Sequence, residues 1–224
     1  MRWYLLLLLL VLTGCGVSEP MEDASILPVQ AVPESEPAPM PESEAADFVR
    51  VQEYLPDILV DLKYAGAENF TGQAVYDFTD AYLRYGTVQK LSSALDILMG
   101  QGYTLLIWDA FRPTQAQFRL WEICPDPVYV ANPETGSSSH SRGNTVDLTL
   151  AALDGEPVEM PTDFDDFSPL ADRDYSDVPA SAAANAQLLE DVLTACGFQP
   201  YTGEWWHFSD LDNYPVEESW SPPK

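Results

Sequence analysis

The stretch SSSHSRGNTVDLTL, residues 137–150, places His140 between a serine run and a glycine, with Asp147 seven positions further on. The chain has 224 residues and two histidines. TVDLTL (145–150) alternates, which predicts a strand with Thr145, Asp147 and Thr149 on one face and Val146, Leu148 and Leu150 on the other. The apolar set packs into a core, so Asp147 turns to the opposite face. Gly143 lets the chain reverse just before the strand, which brings His140 toward Asp147. An imidazole nitrogen and a carboxylate oxygen are both zinc donors at about 2 Å.

The other histidine, His207, sits in GEWWHFS (203–209). A catalytic zinc commonly takes three protein ligands and keeps a fourth position open, and His207 completes such a set with His140 and Asp147. Glu204 stands three residues before His207, placed to take a proton from an attacking water. Arg112, in WDAFRP (108–113), ends a buried strand, where a fixed guanidinium stabilises an oxyanion. Each residue also has a plain structural reading. His140 reads as a surface loop residue, Asp147 as a strand-end hydrogen-bonder, Glu204 as a solvent-facing strand residue and Arg112 as a salt-bridge donor. From the residues alone, both accounts stand.

Outward from these motifs the pattern is mixed. DILVDLKYA (57–65) reads as a strand leading into the loop GAENFTG. TDAYLRYGTVQKLSSALDILMGQG (79–102) reads as a helix, with Leu83, Val88, Leu91, Leu95, Ile97 and Leu98 at helical spacing and an end at Gly100 and Gly102. YTLLIWDAF (103–111) reads as a buried strand, TQAQFRLWEIC (114–124) as a helix, SAAANAQLLEDVLTACGF (181–198) as a helix closed by Gly197, and EWWHFS (204–209) as a short strand. Without regular βαβ alternation, these elements predict an α+β fold. It is a single compact domain with helices packed on a mostly antiparallel sheet.

The amino end has a different composition. MRWYLLLLLLVLTGCG has one positive charge, a short leucine run and small residues, the pattern of a signal peptide over residues 1–14. LTGC (12–15) resembles a bacterial lipobox, which implies lipid on Cys15; the other reading is a plain secretory signal with an incidental cysteine. Residues 15–46, rich in Pro, Glu, Ser and Ala, read as an extended tether that cannot offset its ordering entropy. The remainder, 47–224, suffices for one domain with a real core. These features imply export, with lipid anchoring to the outer face of a bacterial cytoplasmic membrane.

A net charge of −26 excludes nucleic acid as a partner, since phosphates need Lys and Arg. It also excludes direct docking on anionic lipid, so the membrane is reached only through the anchor. Cys124 and Cys196 have no CxxC or CxH neighbourhood and are not read as metal ligands. A disulfide between them and two separate thiols both remain open. Oligomeric state is not legible.

Together these motifs resemble the D-alanyl-D-alanine dipeptidases of the vancomycin-resistance type (VanX-like). The family pattern SxHxxGxxxD is present as Ser138, His140, Gly143 and Asp147. EWWH and WDAFRP resemble the second zinc motif and the arginine motif. DLKYAGAENFTG (61–72) and FDDF (164–167) resemble further family segments, in the right order from about Val51 to Ser209. The resemblance implies one zinc on His140, Asp147 and His207, with Glu204 as general base and Arg112 as transition-state stabiliser. It also implies that Ser138, Tyr64 and Asp165 hold the amino end of a small D,D-dipeptide. Asp163 and Asp166 compete with Asp165 for that alignment.

The tether and the export signal depart from the resistance type, which acts on the cytoplasmic pool of D-Ala-D-Ala. Scavenging or wall turnover fits an exported enzyme better. Two other readings remain at this level. One is a D,D-carboxypeptidase trimming wall stem peptides in an open cleft. The other is a non-catalytic wall-peptide binding lipoprotein, which the intact Glu204 opposes.

Overall fold

In the computed structural model, residues 43–223 are described. The signal segment, Cys15 and the tether up to residue 42 lie outside the described residues. Ser43–Ala46, placed in the tether by composition, already bond the domain. The Ser43 hydroxyl lies 2.9 Å from that of Tyr54, and Arg84 donates to the Ala46 carbonyl at 2.7 Å. No helix among the described residues is long and apolar enough to cross a membrane.

Among the described residues, four α-helices and two sheets make an α+β fold. Strands β1 (Phe48–Arg50) and β3 (Tyr82–Arg84) pair antiparallel, flanking helix α1 (Val51–Tyr54). The larger sheet is built from β2 (Leu59–Val60), β4 (Tyr103–Asp109), β5 (Thr145–Ala152), β6 (Phe198–Pro200) and β7 (His207–Asp210), in the order β2-β4-β5-β7-β6. Only the β2–β4 pair is parallel. The sheet is therefore mostly antiparallel, as the pattern predicts.

The helix expected from 79 begins later. β3 occupies the start of that run, and α2 spans Tyr85–Met99. Val88, Leu91, Leu95 and Leu98 are buried as a stripe, while Ile97 points outward, 44 % exposed, because it falls off the i, i+3, i+4 face. Helices α3 (Thr114–Ile123) and α4 (Ala180–Ala195) match their expected positions. Val146, Leu148 and Leu150 of β5 join α2 and α4 residues such as Leu91, Leu95, Leu189 and Leu193 in one core.

Three expectations need correction. The strand read over 57–65 is only Leu59–Val60, followed by a short helical turn at Lys63–Ala65. The strand read over 204–209 starts at His207, with Glu204 in the turn before it. Both faces of β5 are covered, so Thr145 and Thr149 are as buried as the apolar set. Cys124 and Cys196 are free thiols, which closes the disulfide alternative.

Candidate active site

The site grows from one cross-strand row. In the register of the larger sheet, Asp109 of β4 pairs with Asp147 of β5, and Asp147 pairs with His207 of β7. Directly opposed residues on neighbouring strands share a face. The pairing skips from Ile107 to Asp109, so Trp108 is an extra residue, and such a bulge re-aims the strand end. His140 reaches the row from the short helical turn Ser139–Arg142. Gly143 ends that turn at φ 75°, and a Cβ there would sit 2.3 Å from the Phe48 ring. Glycine is thus required both for the left-handed backbone and for the close approach.

His140, Asp147 and His207 present donor atoms to a common point. His140 Nε2 lies 3.3 Å from Asp147 Oδ2, His207 Nδ1 lies 2.9 Å from Asp147 Oδ1, and the two ring nitrogens are 3.4 Å apart. Donors bound tetrahedrally to a zinc ion at its usual bond lengths lie roughly 3.3 Å from one another, so these separations fit. His140 Nδ1 is 2.9 Å from the Ala110 carbonyl, which makes Nδ1 the donor and leaves Nε2 free to ligate. The buried Asp147 Oδ1 meets His207 Nδ1 in a close ion-pair contact without the geometry of a hydrogen bond, and a buried carboxylate oxygen so placed is stabilised further when a cation meets it. The residues present therefore fit a zinc ion.

The charges agree. Burial would raise the Asp147 pKa, but the imidazoles of His140 and His207 hold it below the usual carboxylate range. Burial would lower that of His140, yet the Asp147 and Asp109 carboxylates raise it. The point these groups surround favours positive charge. Glu204 stands beside it, its carboxylate 3.6 Å from His207 Nδ1. Burial, and then the Asp147 charge, raise its pKa above the ordinary value, which suits an acceptor of protons.

Arg112 is fixed on the other side. It donates to Asp109 Oδ2 from Nε at 3.2 Å and from an η nitrogen at 2.6 Å, and to Gln117 at 3.0 Å. Asp109, fully buried, also accepts from the Tyr76 hydroxyl at 2.7 Å and the Ala110 amide at 2.9 Å. Sequence reasoning missed Asp109, Tyr76 and Gln117. The available signal was an aspartate three residues before Arg112 at the end of an otherwise apolar strand.

Tyr64, Arg112, Ser138, His140, Asp147, Asp165, Glu204 and His207 all line one cavity of about 460 Å³. Of the three competing aspartates, only Asp165 lines it; Asp163 and Asp166 line a second cavity. Asp165 accepts from the Tyr64 hydroxyl at 3.2 Å and the Phe70 amide at 3.3 Å, with its backbone in the left-handed region at φ 59°. Burial pushes its pKa up to about 7. A buried carboxyl so destabilised gains most from a cationic partner. Every site residue expected in the domain is thus in one place.

The chain is similar to known proteins. The family model of M15 peptidases, described as D-ala-D-ala dipeptidase, matches residues 44–221. A D-alanyl-D-alanine dipeptidase of Escherichia coli (strain K12) is 38% identical over 176 residues, covering 78% of this chain and 91% of its own. One from Enterococcus faecium is 32% identical over 189 residues, covering 75% and 94%. A solved structure, VanYB in complex with D-Alanine-D-Alanine, aligns with 59% of this chain and 73% of its own at TM-score 0.39 and 15% identity.

Proposed function

The chain belongs to the M15 family of D-alanyl-D-alanine dipeptidases and is a metallopeptidase, and on that basis we propose that it hydrolyses free D-Ala-D-Ala with one zinc held by His140, Asp147 and His207. The observation that carries this reading is the trio of donor separations, 2.9, 3.3 and 3.4 Å, among His140, Asp147 and His207. When bound, the ion acidifies a water and polarises the scissile carbonyl.

The chain's own residues do the rest. Glu204 takes a proton from the attacking water and returns it to the departing amine nitrogen as the C–N bond breaks. Arg112 donates to the carbonyl oxygen as it gains negative charge, and its bonds to Asp109 and Gln117 hold it in place before the reaction. Asp165 receives the substrate ammonium, with Tyr64 and Ser138 beside it. The decisive experiment is a turnover assay on free D-Ala-D-Ala. Activity lost on chelation and restored by one equivalent of zinc supports the reading; full activity in exhaustively chelated protein contradicts it.

The location reading rests on sequence alone. We propose export and lipid anchoring through Cys15, with a role in peptide scavenging or wall turnover. A Cys15→Ala chain then leaves the membrane fraction or fails to mature. Normal processing with unchanged membrane fractionation overturns it.

A further inference from the structure

Arg173 lies in the acidic run DRDYSD and does not line the metal cavity. Its side chain is nonetheless only 9% exposed. We infer that Arg173 is a positioning residue that sets the turn carrying Glu204 and His207. The inference rests on the metallopeptidase reading of those two residues.

The geometry is specific. A guanidinium has five N–H donors in a planar fork, and Arg173 meets five acceptors. Nε donates to the Tyr201 carbonyl at 2.7 Å. One η nitrogen donates to the Glu204 and His207 carbonyls, both at 3.1 Å. The other donates to Glu190 Oε2 at 2.9 Å and to the Tyr175 hydroxyl at 3.2 Å. Three carbonyls of one seven-residue turn, 201–207, therefore converge on one cation, which α4 anchors through Glu190. Within that turn Tyr201 N donates to the His207 carbonyl at 3.1 Å, while Glu204 N to Tyr201 O is 3.4 Å and His207 N to Glu204 O is 3.3 Å. The two bonds made by the Glu204 and His207 amides are longer than any contact from Arg173 to the turn's carbonyls, so Arg173 adds close holds at Tyr201, Glu204 and His207. The face of the guanidinium also lies 4.5 Å from the centre of the Phe208 ring, which fixes its plane.

The two residues placed by this turn have separate jobs, one taking a proton and one ligating. A shift of the turn therefore moves both the rate and the metal affinity. Lysine keeps the charge but has three donors on one atom and cannot span the turn and Glu190 together. A residue that merely cross-links α4 to the turn changes stability alone.

The test compares wild type, Arg173→Lys and Glu190→Gln at a temperature where each is folded. It reads kcat and KM on D-Ala-D-Ala, and zinc Kd by competition with a chromogenic chelator. Arg173→Lys is expected to lower kcat at least about tenfold and to weaken zinc about tenfold, with KM within about twofold. Glu190→Gln, which leaves the fork in place, gives smaller losses of the same sign and decides the matter if Arg173→Lys does not fold. Kcat and zinc Kd within twofold of wild type in either folded variant, with only the melting temperature lowered, overturn the inference. A wild type that neither retains zinc nor cuts the dipeptide would instead indict the proposed function.

Discussion

The two ends of the cavity are built from different material. At the metal end, Asp109, Asp147 and His207 sit in one row across three paired strands. Most supporting contacts there are short: 2.6 Å from an Arg112 η nitrogen to Asp109, 2.7 Å from Tyr76 to Asp109, and 2.9 Å from His140 to the Ala110 carbonyl, with Arg112 Nε to Asp109 at 3.2 Å. At the amino end, Tyr64 comes from a short helical turn and Asp165 from a loop in left-handed backbone. The contacts to Asp165 are longer, 3.2 and 3.3 Å. Groups that must meet a reacting atom closely sit best on rigid elements, while loops carried by a scaffold tune what is bound. On the proposed mechanism, the difference assigns the rate to the metal end, built around the sheet row, and the choice of substrate to the loops at the other end.

The largest effect should come from the metal end. Glu204→Gln keeps the size but cannot accept a proton, so kcat should fall at least about a hundredfold. Zinc content measured on the same protein should stay near one per chain, since Glu204 lies outside the proposed ligand set. Loss of zinc along with activity would assign Glu204 to the ligand set. Arg112→Lys should follow, with kcat down about a hundredfold, because one ammonium cannot reproduce the fork onto Asp109 and Gln117. Steady-state kinetics showing only a KM change would move Arg112 from the reacting oxygen to substrate binding.

Much of the metal end was legible because its chemistry is local in sequence. His140 and Asp147 are seven apart around an obligatory glycine, and Glu204 and His207 are three apart. Asp109 was not, since its role depends on a bulge at Trp108 and a cross-strand register that no local pattern encodes. Arg173 was hidden for a similar reason: it sits among aspartates, yet its carboxylate partner, Glu190, lies on α4. Strand β1 and helix α1, three and four residues long, are too short for periodicity to show. The split of the 79–102 run into β3 and α2 follows from pairing with β1, a tertiary contact. At the amino end, three nearby aspartates left the alignment open, and only the folded loop separates Asp165 from its neighbours.

Asp165→Asn should have a smaller effect than either change at the metal end. It removes the proposed partner of the substrate ammonium, which should cost about 1–3 kcal/mol, or roughly 5- to 150-fold in kcat/KM. The loss should appear in KM more than in kcat. An equal fall in kcat with KM unchanged would break the division between the two ends.

The smallest effect is on stability. The Asp165 carboxyl titrates at about 7 when folded, above the ordinary aspartate range near 4, because burial disfavours its charge. A raised carboxyl contributes stability below its unfolded pKa that is lost as pH rises through its folded pKa. Metal-free Asp165→Asn should therefore melt several degrees above wild type at pH 8, and the gap should close toward pH 4. Thermal melts showing a gap that widens as pH falls would mean that Asp165 is held ionised.

The division of labour is tested most directly by comparing free D-Ala-D-Ala with an N-acylated tripeptide ending in D-Ala-D-Ala on the same zinc-loaded protein. Acylation removes the positive charge proposed to meet Asp165 and adds bulk on the side proposed to be closed by Tyr64, Ser138 and Asp165, which line the cavity. The free dipeptide should be cut with a kcat/KM at least about tenfold higher. Equal or faster cleavage of the longer peptide would contradict the account and make the enzyme a D,D-carboxypeptidase.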